Sequence, residues 1–261
     1  MKINEKLLKS VIHIAEKAGD AIMGFYNKQG IKTVLKKDKS PLTEADIASH
    51  NIIFQQLSKL TPNISILSEE SIEKFELQHE KDFFWCVDPL DGTKEFINKN
   101  DEFTVNIALI FKQKPIMGVV VVPAKGLTYS SLEGLGSFKS VTNSSNLHPI
   151  HVKEIIDKNS LTFATSRSHS DSNTQEFIDR NNGKVIKVGS SLKFLLIAEG
   201  LCDFYPRFSP TMIWDTAAGH SVLKEAGGLV TNLNDNSLTY SSNKLLNPSF
   251  IARSQTYDLL I

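Results

Sequence analysis

The sequence predicts a mixed α/β protein, and three observations carry that prediction. Residues 4 to about 27 place Leu7, Leu8, Val11, Ile14, Ala15, Ala18, Ile22 and Phe25 at the spacing of a helix with one buried face. Residues 83–87, 103–111 and 115–122 are short apolar runs, rich in β-branched and aromatic side chains, as buried strands are. From residue 161 onward, strand-like and helix-like segments alternate, the order expected of a second sheet covered by helices.

After the first helix comes a basic segment, 32–39, interrupted by Thr33, Val34 and Leu35. It reads as an edge strand or an exposed loop with solvated charges. Ser40-Pro41-Leu42-Thr43-Glu44-Ala45-Asp46 opens a second helix that runs to about Leu60. Thr43 and Asp46 have the spacing of a capping box, which by itself accounts for a carboxylate there. Residues 64–67 predict a short strand ending in Ser68-Glu69-Glu70-Ser71, and these carboxylates equally suit the acidic first turn of a helix. The runs 103–111 and 115–122, joined through Lys112-Gln113-Lys114, predict a hairpin, to which 127–132 adds a third strand. Glycines and polar residues from 134 to 145 predict loops and the end of a first subdomain, 1–145, with 146–261 forming the second. There, strands are expected at 161–165, 184–188 and 202–208, and helices at 171–180, 190–199 and 214–225. Gly227-Gly228 stops the last helix, and 229–233, 238–241 and 250–252 complete the sheet.

The chemistry concentrates in Asp88-Pro89-Leu90-Asp91-Gly92-Thr93. The apolar run 83–87 delivers Asp88 to the end of a buried strand, where layered α/β proteins keep ligand sites. Pro89 stiffens the exit, and Asp91 follows at a distance that lets a tight turn aim both carboxylates at one point. Gly92 lets the backbone approach a ligand closely and offer its amides to an anion. Two carboxylates, a turn and a hydroxyl suit a divalent cation with a phosphate beside it. A bare pair of this spacing is also explained by an Asx-type turn, so the weight falls on the rest of the chain. Asp215 has two readings as well. It lies in the first turn of the helix at 214–225, where the macrodipole favours a carboxylate, and it is equally a third carboxylate within reach of a metal site.

Apolar content of 41% and charged content of 22% are those of an ordinary globular protein. With 29 basic and 29 acidic residues the net charge is zero, which argues against nucleic acid as the main partner and leaves a small phosphorylated ligand open. Cys86 and Cys202 sit in apolar stretches without any C-x-x-C, so buried reduced thiols are expected and a zinc site is not. The N-terminal residues lead into an amphipathic pattern, and no apolar run is long enough to cross a bilayer. The expectation is a cytoplasmic protein with at most peripheral contact on the cytoplasmic face of the inner membrane.

Three motifs in order, Glu69-Glu70, Asp88-Pro89-Leu90-Asp91-Gly92-Thr93 and Trp214-Asp215-Thr216-Ala217-Ala218-Gly219, give the chain its resemblance. It resembles the lithium-sensitive, magnesium-dependent phosphomonoesterase superfamily that includes the inositol monophosphatases. Within that superfamily it is most similar to the 3'(2'),5'-bisphosphate nucleotidases of the CysQ type. That finer likeness rests on Lys94-Glu95-Phe96, the run from Glu102 to Leu109, Gly189-Ser190-Ser191-Leu192-Lys193-Phe194, Tyr205-Pro206-Arg207-Phe208 and the segment from Ser40 to Asp46. The similarity is clearest from Lys39 to Gly228; Ser209-Pro210-Thr211-Met212-Ile213 departs from the family pattern in loop detail.

The resemblance implies a layered α-β-α-β-α sandwich of the inositol monophosphatase/fructose bisphosphatase type. It implies magnesium-dependent removal of the 3'-phosphate from adenosine 3',5'-bisphosphate, a small-molecule nucleotide substrate, by a monomer or homodimer holding two or three Mg²⁺ per site. Glu69, Asp88 and the Leu90 carbonyl would hold one ion, and Asp88, Asp91 and Asp215 the second. Thr93 and Asp46 would position or deprotonate the attacking water, with Glu69 assisting. Gly92 and Thr93 would offer amides to the phosphate. Ser190, Lys193 and Arg207 would contact the nucleotide, the last two at its 5'-phosphate, and His169 the adenosine. An inositol or sugar phosphate phosphatase with the same metal core is the rival enzyme, and a silent nucleotide-binding regulator the rival of another class. Intact Glu69, Asp88, Asp91, Thr93 and Asp215 favour an enzyme.

Overall fold

A computed structural model describes residues 3–28, 33–35, 41–75, 81–155, 160–168 and 171–255. Helix α1 (Glu5–Tyr26) is capped by Asn4, whose Oδ1 accepts the Leu7 N–H at 3.1 Å, and it buries the predicted stripe apart from Phe25, which is half-buried. Strands β1 (Thr33–Leu35) and β2 (Pro41–Thr43) pair antiparallel. Residues 41–43 therefore form a strand where the sequence suggests the opening of a helix; Thr43 holds extended backbone as the N-cap, so α2 (Glu44–Leu60) starts only at Glu44. Ser40 and the rest of the basic segment lie outside the described residues.

The main sheet contains β3 (Ser65–Ser68), β4 (Phe83–Asp91), β5 (Thr104–Phe111), β6 (Lys114–Val122), β7 (Leu127–Leu132), β8 (Gly136–Val141) and β9 (His148–Pro149), adjacent in space in chain order. Only β3 and β4 run parallel; the others are antiparallel. The short helix α3 (Thr93–Ile97) lies between β4 and β5. Alternation along β4 sends Trp85 and Val87 into the core under α1 and α2, and Phe84 and Cys86 into the core on the other face. The predicted hairpin closes through Lys112 and Gln113, both with positive φ (46° and 64°), the combination a two-residue turn of matching twist requires. β8 falls in the stretch that its glycines and polar residues mark as loop, and β9 lies just beyond it. β8 is held by its ladder to β7 and carries few buried apolar side chains, so it has no hydrophobic signature.

The second sheet is built from the remaining elements: β10 (Thr162–Ser166), α4 (Ser172–Arg180), β11 (Lys184–Val188), α5 (Leu192–Ala198), β12 (Phe204–Arg207), α6 (Ile213–Glu225), β13 (Leu229–Asn232) and β14 (Phe250–Arg253). Its strand order is β11-β10-β12-β14-β13, parallel across the first three and antiparallel beyond. α5 and α6 fill the space between the two sheets, sharing one core with Phe84, Cys86, Tyr205 and Phe250. α4 covers the outer face through Phe177 and Ile178 against Phe163 and Phe204. The result is the five-layer α-β-α-β-α order that the resemblance implies.

Two expectations in this half fail. The helix expected from 190 begins at Leu192, because Ser190 sits at φ 55° in the left-handed region. Residues 238–241 form no strand; Leu238 and Tyr240 are buried, but the segment makes only isolated bridges at Ser237 and Ser241. Cys86 and Cys202 are buried free thiols, as expected. Among the described residues no helix is long and apolar enough to cross a membrane.

Candidate active site

The irregular end of β4, the start of α3, the entry to α5, the end of β12 and the first turn of α6 converge on one cleft of about 400 Å³. β4 pairs evenly with β5 as far as Asp88 and Asn106, then its register shifts before Asp91 meets Thr104. Pro89, with no N–H to give, lies in this gap, and its carbonyl accepts the Ser49 hydroxyl at 2.7 Å. The strand thus runs past Asp88, where the sequence suggests it ends, and the irregularity performs the turn. Leu90 N–H donates to Asp88 Oδ1 at 3.1 Å, so the Asx-type reading also holds locally.

Of the residues singled out from sequence, Glu69, Asp91, Gly92, Thr93, Ser190, Lys193, Arg207 and Asp215 line the cleft. Asp46, Asp88 and Leu90 lie behind the lining, each at most 2% exposed. His169 lies outside the described residues. Glu69 opens a 3-10 turn, Glu69–Lys74, directly after β3, so it occupies an acidic first turn and faces the cleft as well.

Asp46 holds two elements at once. Its Oδ2 accepts the Thr43 N–H at 2.7 Å and the Thr43 hydroxyl at 2.5 Å, completing the capping box. Its Oδ1 accepts the Thr93 hydroxyl at 3.2 Å. Gly92 precedes α3 at φ 88°, a conformation that suits glycine, and the amides of the first turn after it have no partner inside the helix.

Ser190 ties the two sheets together at the site, donating to Asp91 Oδ2 at 2.6 Å from a loop that also bonds Thr104. Behind it, Ser191 donates to Asn106 Oδ1 at 2.8 Å, while Glu102 accepts a bidentate pair from Arg167 at 2.6 and 2.7 Å and the Gly189 N–H at 2.8 Å. Burial pushes the Glu102 carboxyl up, but Arg167 and the Gly189 amide outweigh it and hold the group below its usual range.

The electrostatics of the cleft follow from burial. Burial raises the Asp91 carboxyl, with Ser190 and Lys193 opposing and the charges of Glu95 and Glu69 adding. Asp215 is raised well above the usual carboxylate range, by burial first and then by Asp91 and Glu69; its Oδ2 accepts the Met212 N–H at 2.8 Å. Cys86 is driven up by burial, then by the charges of Asp215 and Asp88. Lys193 is lowered to about 8 by burial, against the attraction of Asp91 and with the repulsion of Arg207. Its Nζ lies 5.2 Å from the Tyr205 ring centroid.

Buried carboxylates that raise one another ask for a cation, and an all-oxygen donor set suits a hard divalent one. Among the described residues no three His, Cys, Asp or Glu side chains close into a cage. A hard cation that keeps several waters and shares phosphate oxygens needs no cage, so the residues fit a divalent ion.

Tyr205, Lys94 and Glu95 also line the cleft and escape the reading of roles from sequence. Tyr205 stands two residues before Arg207 on a strand, which puts both on one face, and that spacing was a usable signal. Lys94 and Glu95 come directly after the Thr93 turn.

Comparison with known proteins gives a consistent picture. The model of the inositol monophosphatase family matches residues 3–261. The 3'(2'),5'-bisphosphate nucleotidase CysQ of Escherichia coli O6:H1 is 43% identical over 247 residues, covering 94% of this chain and 98% of the relative. The CysQ nucleotidase of Buchnera aphidicola is 41% identical over 245 residues, covering 90% and 88%. Among solved structures, CysQ from Bacteroides thetaiotaomicron superposes with a TM-score of 0.83 at 37% identity, over 97% of this chain and 98% of that one. An inositol monophosphatase from Thermotoga maritima gives 0.79 at 28% identity, over 95% and 92%.

Proposed function

The chain belongs to the inositol monophosphatase family, and we propose that it is a 3'(2'),5'-bisphosphate nucleotidase, hydrolysing adenosine 3',5'-bisphosphate to AMP and phosphate. One observation carries the choice of substrate: the cleft that holds the carboxylates Glu69, Asp91 and Asp215 also holds, among its lining, the cations Lys193 and Arg207. The carboxylates serve the metal ions and the scissile phosphate. Two further cations in the same cleft suit a second phosphate, which a nucleoside bisphosphate has and an inositol monophosphate lacks.

Two or three Mg²⁺ would complete the site, one held by Glu69, Asp88 and the Leu90 carbonyl and another by Asp88, Asp91 and Asp215. When bound, they neutralise charge on the phosphate oxygens and make the attacking water more acidic. The remaining work falls to the chain. Thr93 donates its hydroxyl proton to Asp46 Oδ1, so that as its oxygen takes a proton from the attacking water its own proton passes on to Asp46. Asp46 cannot turn away, because the capping box fixes its other oxygen, and Glu69 assists from the next element. The amides of Gly92 and Thr93 bind phosphate oxygens where charge builds. Ser190 holds Asp91 in place, and the Arg207 guanidinium is steadied by the Ser209 and Pro210 carbonyls, at 3.1 and 3.3 Å, for the 5'-phosphate. Buried reduced thiols at Cys86 and Cys202 suit a cytoplasmic location.

The decisive experiment compares phosphate release from adenosine 3',5'-bisphosphate and from inositol 1-phosphate, each with Mg²⁺ and with chelator. Metal-dependent preference for the nucleotide is expected. Preference for the inositol phosphate would keep the metal site and discard Lys193 and Arg207 as nucleotide determinants, and no release from either would point to a binding protein.

A further inference from the structure

Glu95 is a cleft carboxylate to which the hydrolysis assigns no task. It sits in α3, is 5% exposed, and lines the same cleft as Gly92, Thr93 and Lys193. Its Oε1 accepts the Ser168 hydroxyl. Gly189 clears the slot it fills, and Gly92 adjoins it. A Cβ on Gly189 would stand 2.7 Å from Glu95 Cγ, and one on Gly92 would stand 3.4 Å from Oε2. Oε2 therefore lies against the backbone turn assigned to the scissile phosphate. Asp91, at the hydrolytic end, and Lys193, at the cationic end, line the same cleft as Glu95.

A carboxylate is a poor neighbour for a bisphosphate, because like charges repel strongly in a partly dry site. It suits such a site only where the substrate brings it a hydrogen-bond donor. Adenosine 3',5'-bisphosphate has two kinds of donor, the exocyclic amine of the base and the one remaining ribose hydroxyl. Only that hydroxyl is attached to the carbon next to the scissile phosphate ester, and only it can reach a group beside the Gly92 turn.

We propose that Glu95 accepts a hydrogen bond from the ribose hydroxyl vicinal to the scissile phosphate, and so selects ribonucleotides over their 2'-deoxy counterparts. This rests on the nucleotidase reading, and the test separates the two. The full chain, with Mg²⁺, is assayed on adenosine 3',5'-bisphosphate and on its 2'-deoxy analogue. Losing a hydroxyl donor to a carboxylate should lower kcat/KM about 10- to 100-fold in the wild type. Glu95→Ala should bring the two substrates to within about threefold of each other, by losing the ribonucleotide advantage. Ser168→Ala keeps the carboxylate and should keep the discrimination. Should Glu95→Ala fail to fold, Glu95→Gln preserves the shape and should shrink the ratio, because a neutral acceptor binds a hydroxyl about half as strongly. Equal wild-type activity on both nucleotides overturns the proposal. So does a Glu95→Ala enzyme that loses both activities in equal measure, which would make Glu95 only an anchor for Ser168. Absence of any nucleotide hydrolysis by the wild type overturns instead the reading on which the proposal stands.

Discussion

At the scale of single residues, the cleft works because side chains with ordinary structural jobs have a second oxygen or proton left over. Asp46 caps α2 with one oxygen and takes the Thr93 proton with the other. Ser190 sits in a left-handed conformation and thereby reaches Asp91 from the opposite sheet. Arg207 is held by two carbonyls, which accept its hydrogen bonds without neutralising its charge. Arg207→Ala should therefore reduce kcat/KM for adenosine 3',5'-bisphosphate about 10- to 100-fold, the worth of one or two charge-assisted hydrogen bonds, and should hardly touch hydrolysis of adenosine 3'-monophosphate. Steady-state kinetics on the two substrates check this; equal losses would remove Arg207 from the 5'-phosphate. That Asp91, Thr93 and Asp215 would face one cleft was legible from sequence, because each stands in a motif at the boundary of an element. What Ser190 and Glu102 hold together was not, since their partners lie 99 and 65 residues away.

At the scale of elements, α6 shows how a buried polar group ties stability to pH. His220 is fully enclosed between the sheets, with Nδ1 2.9 Å from the Tyr240 hydroxyl, and burial lowers it to about 3, with Lys224 adding to the effect. The folded pKa lies below the unfolded value of 6.5, so the unfolded chain binds the extra proton between the two. Stability from this group is complete above pH 6.5 and is lost as pH falls towards 3. One unit below the unfolded value the cost is about 1.4 kcal/mol, or roughly 3–5 °C in Tm for a chain of this size. Thermal melts of wild type and His220→Gln from pH 7.5 to 4.5 should converge on the acid side; parallel curves would show that His220 titrates normally. α1, with one buried face, was readable because burial imposes a period on it, and β4 to β6, buried on both faces, because they are continuous apolar runs. β8 was not, because backbone pairing with β7 forms it, and 238–241 misled because Tyr240 is buried through His220 and the Gln113 carbonyl while pairing only at an isolated bridge beside it.

At the scale of the whole molecule, two sheets and the helices between them bring Glu69 from one strand end, Asp91 from another and Asp215 from a helix start to a single cleft. The three motifs are visible in chain order, but only the closure of the second sheet onto the first puts them in electrostatic reach of one another. That closure has a cost in the absence of cations. Burial and the charges of Asp91 and Glu69 raise Asp215, so the folded protein holds its proton more tightly than the unfolded chain does. The stability this group contributes is present at low pH and is lost as pH rises through the folded value, leaving a penalty near neutrality. Asp215→Asn removes that penalty and keeps an oxygen for the Met212 N–H, so the metal-free variant should melt above the metal-free wild type at pH 7.5. Mg²⁺ should act the opposite way on the pair. At a hundredfold excess over its Kd it adds about 2.7 kcal/mol to the wild type, on the order of 5–10 °C in Tm, and clearly less to the variant, which should also lose phosphate release. Melting curves with Mg²⁺ and with chelator measure both arms. A wild type whose Tm ignores Mg²⁺, together with a variant no more stable than it, would mean that these carboxylates gather for some reason other than a cation.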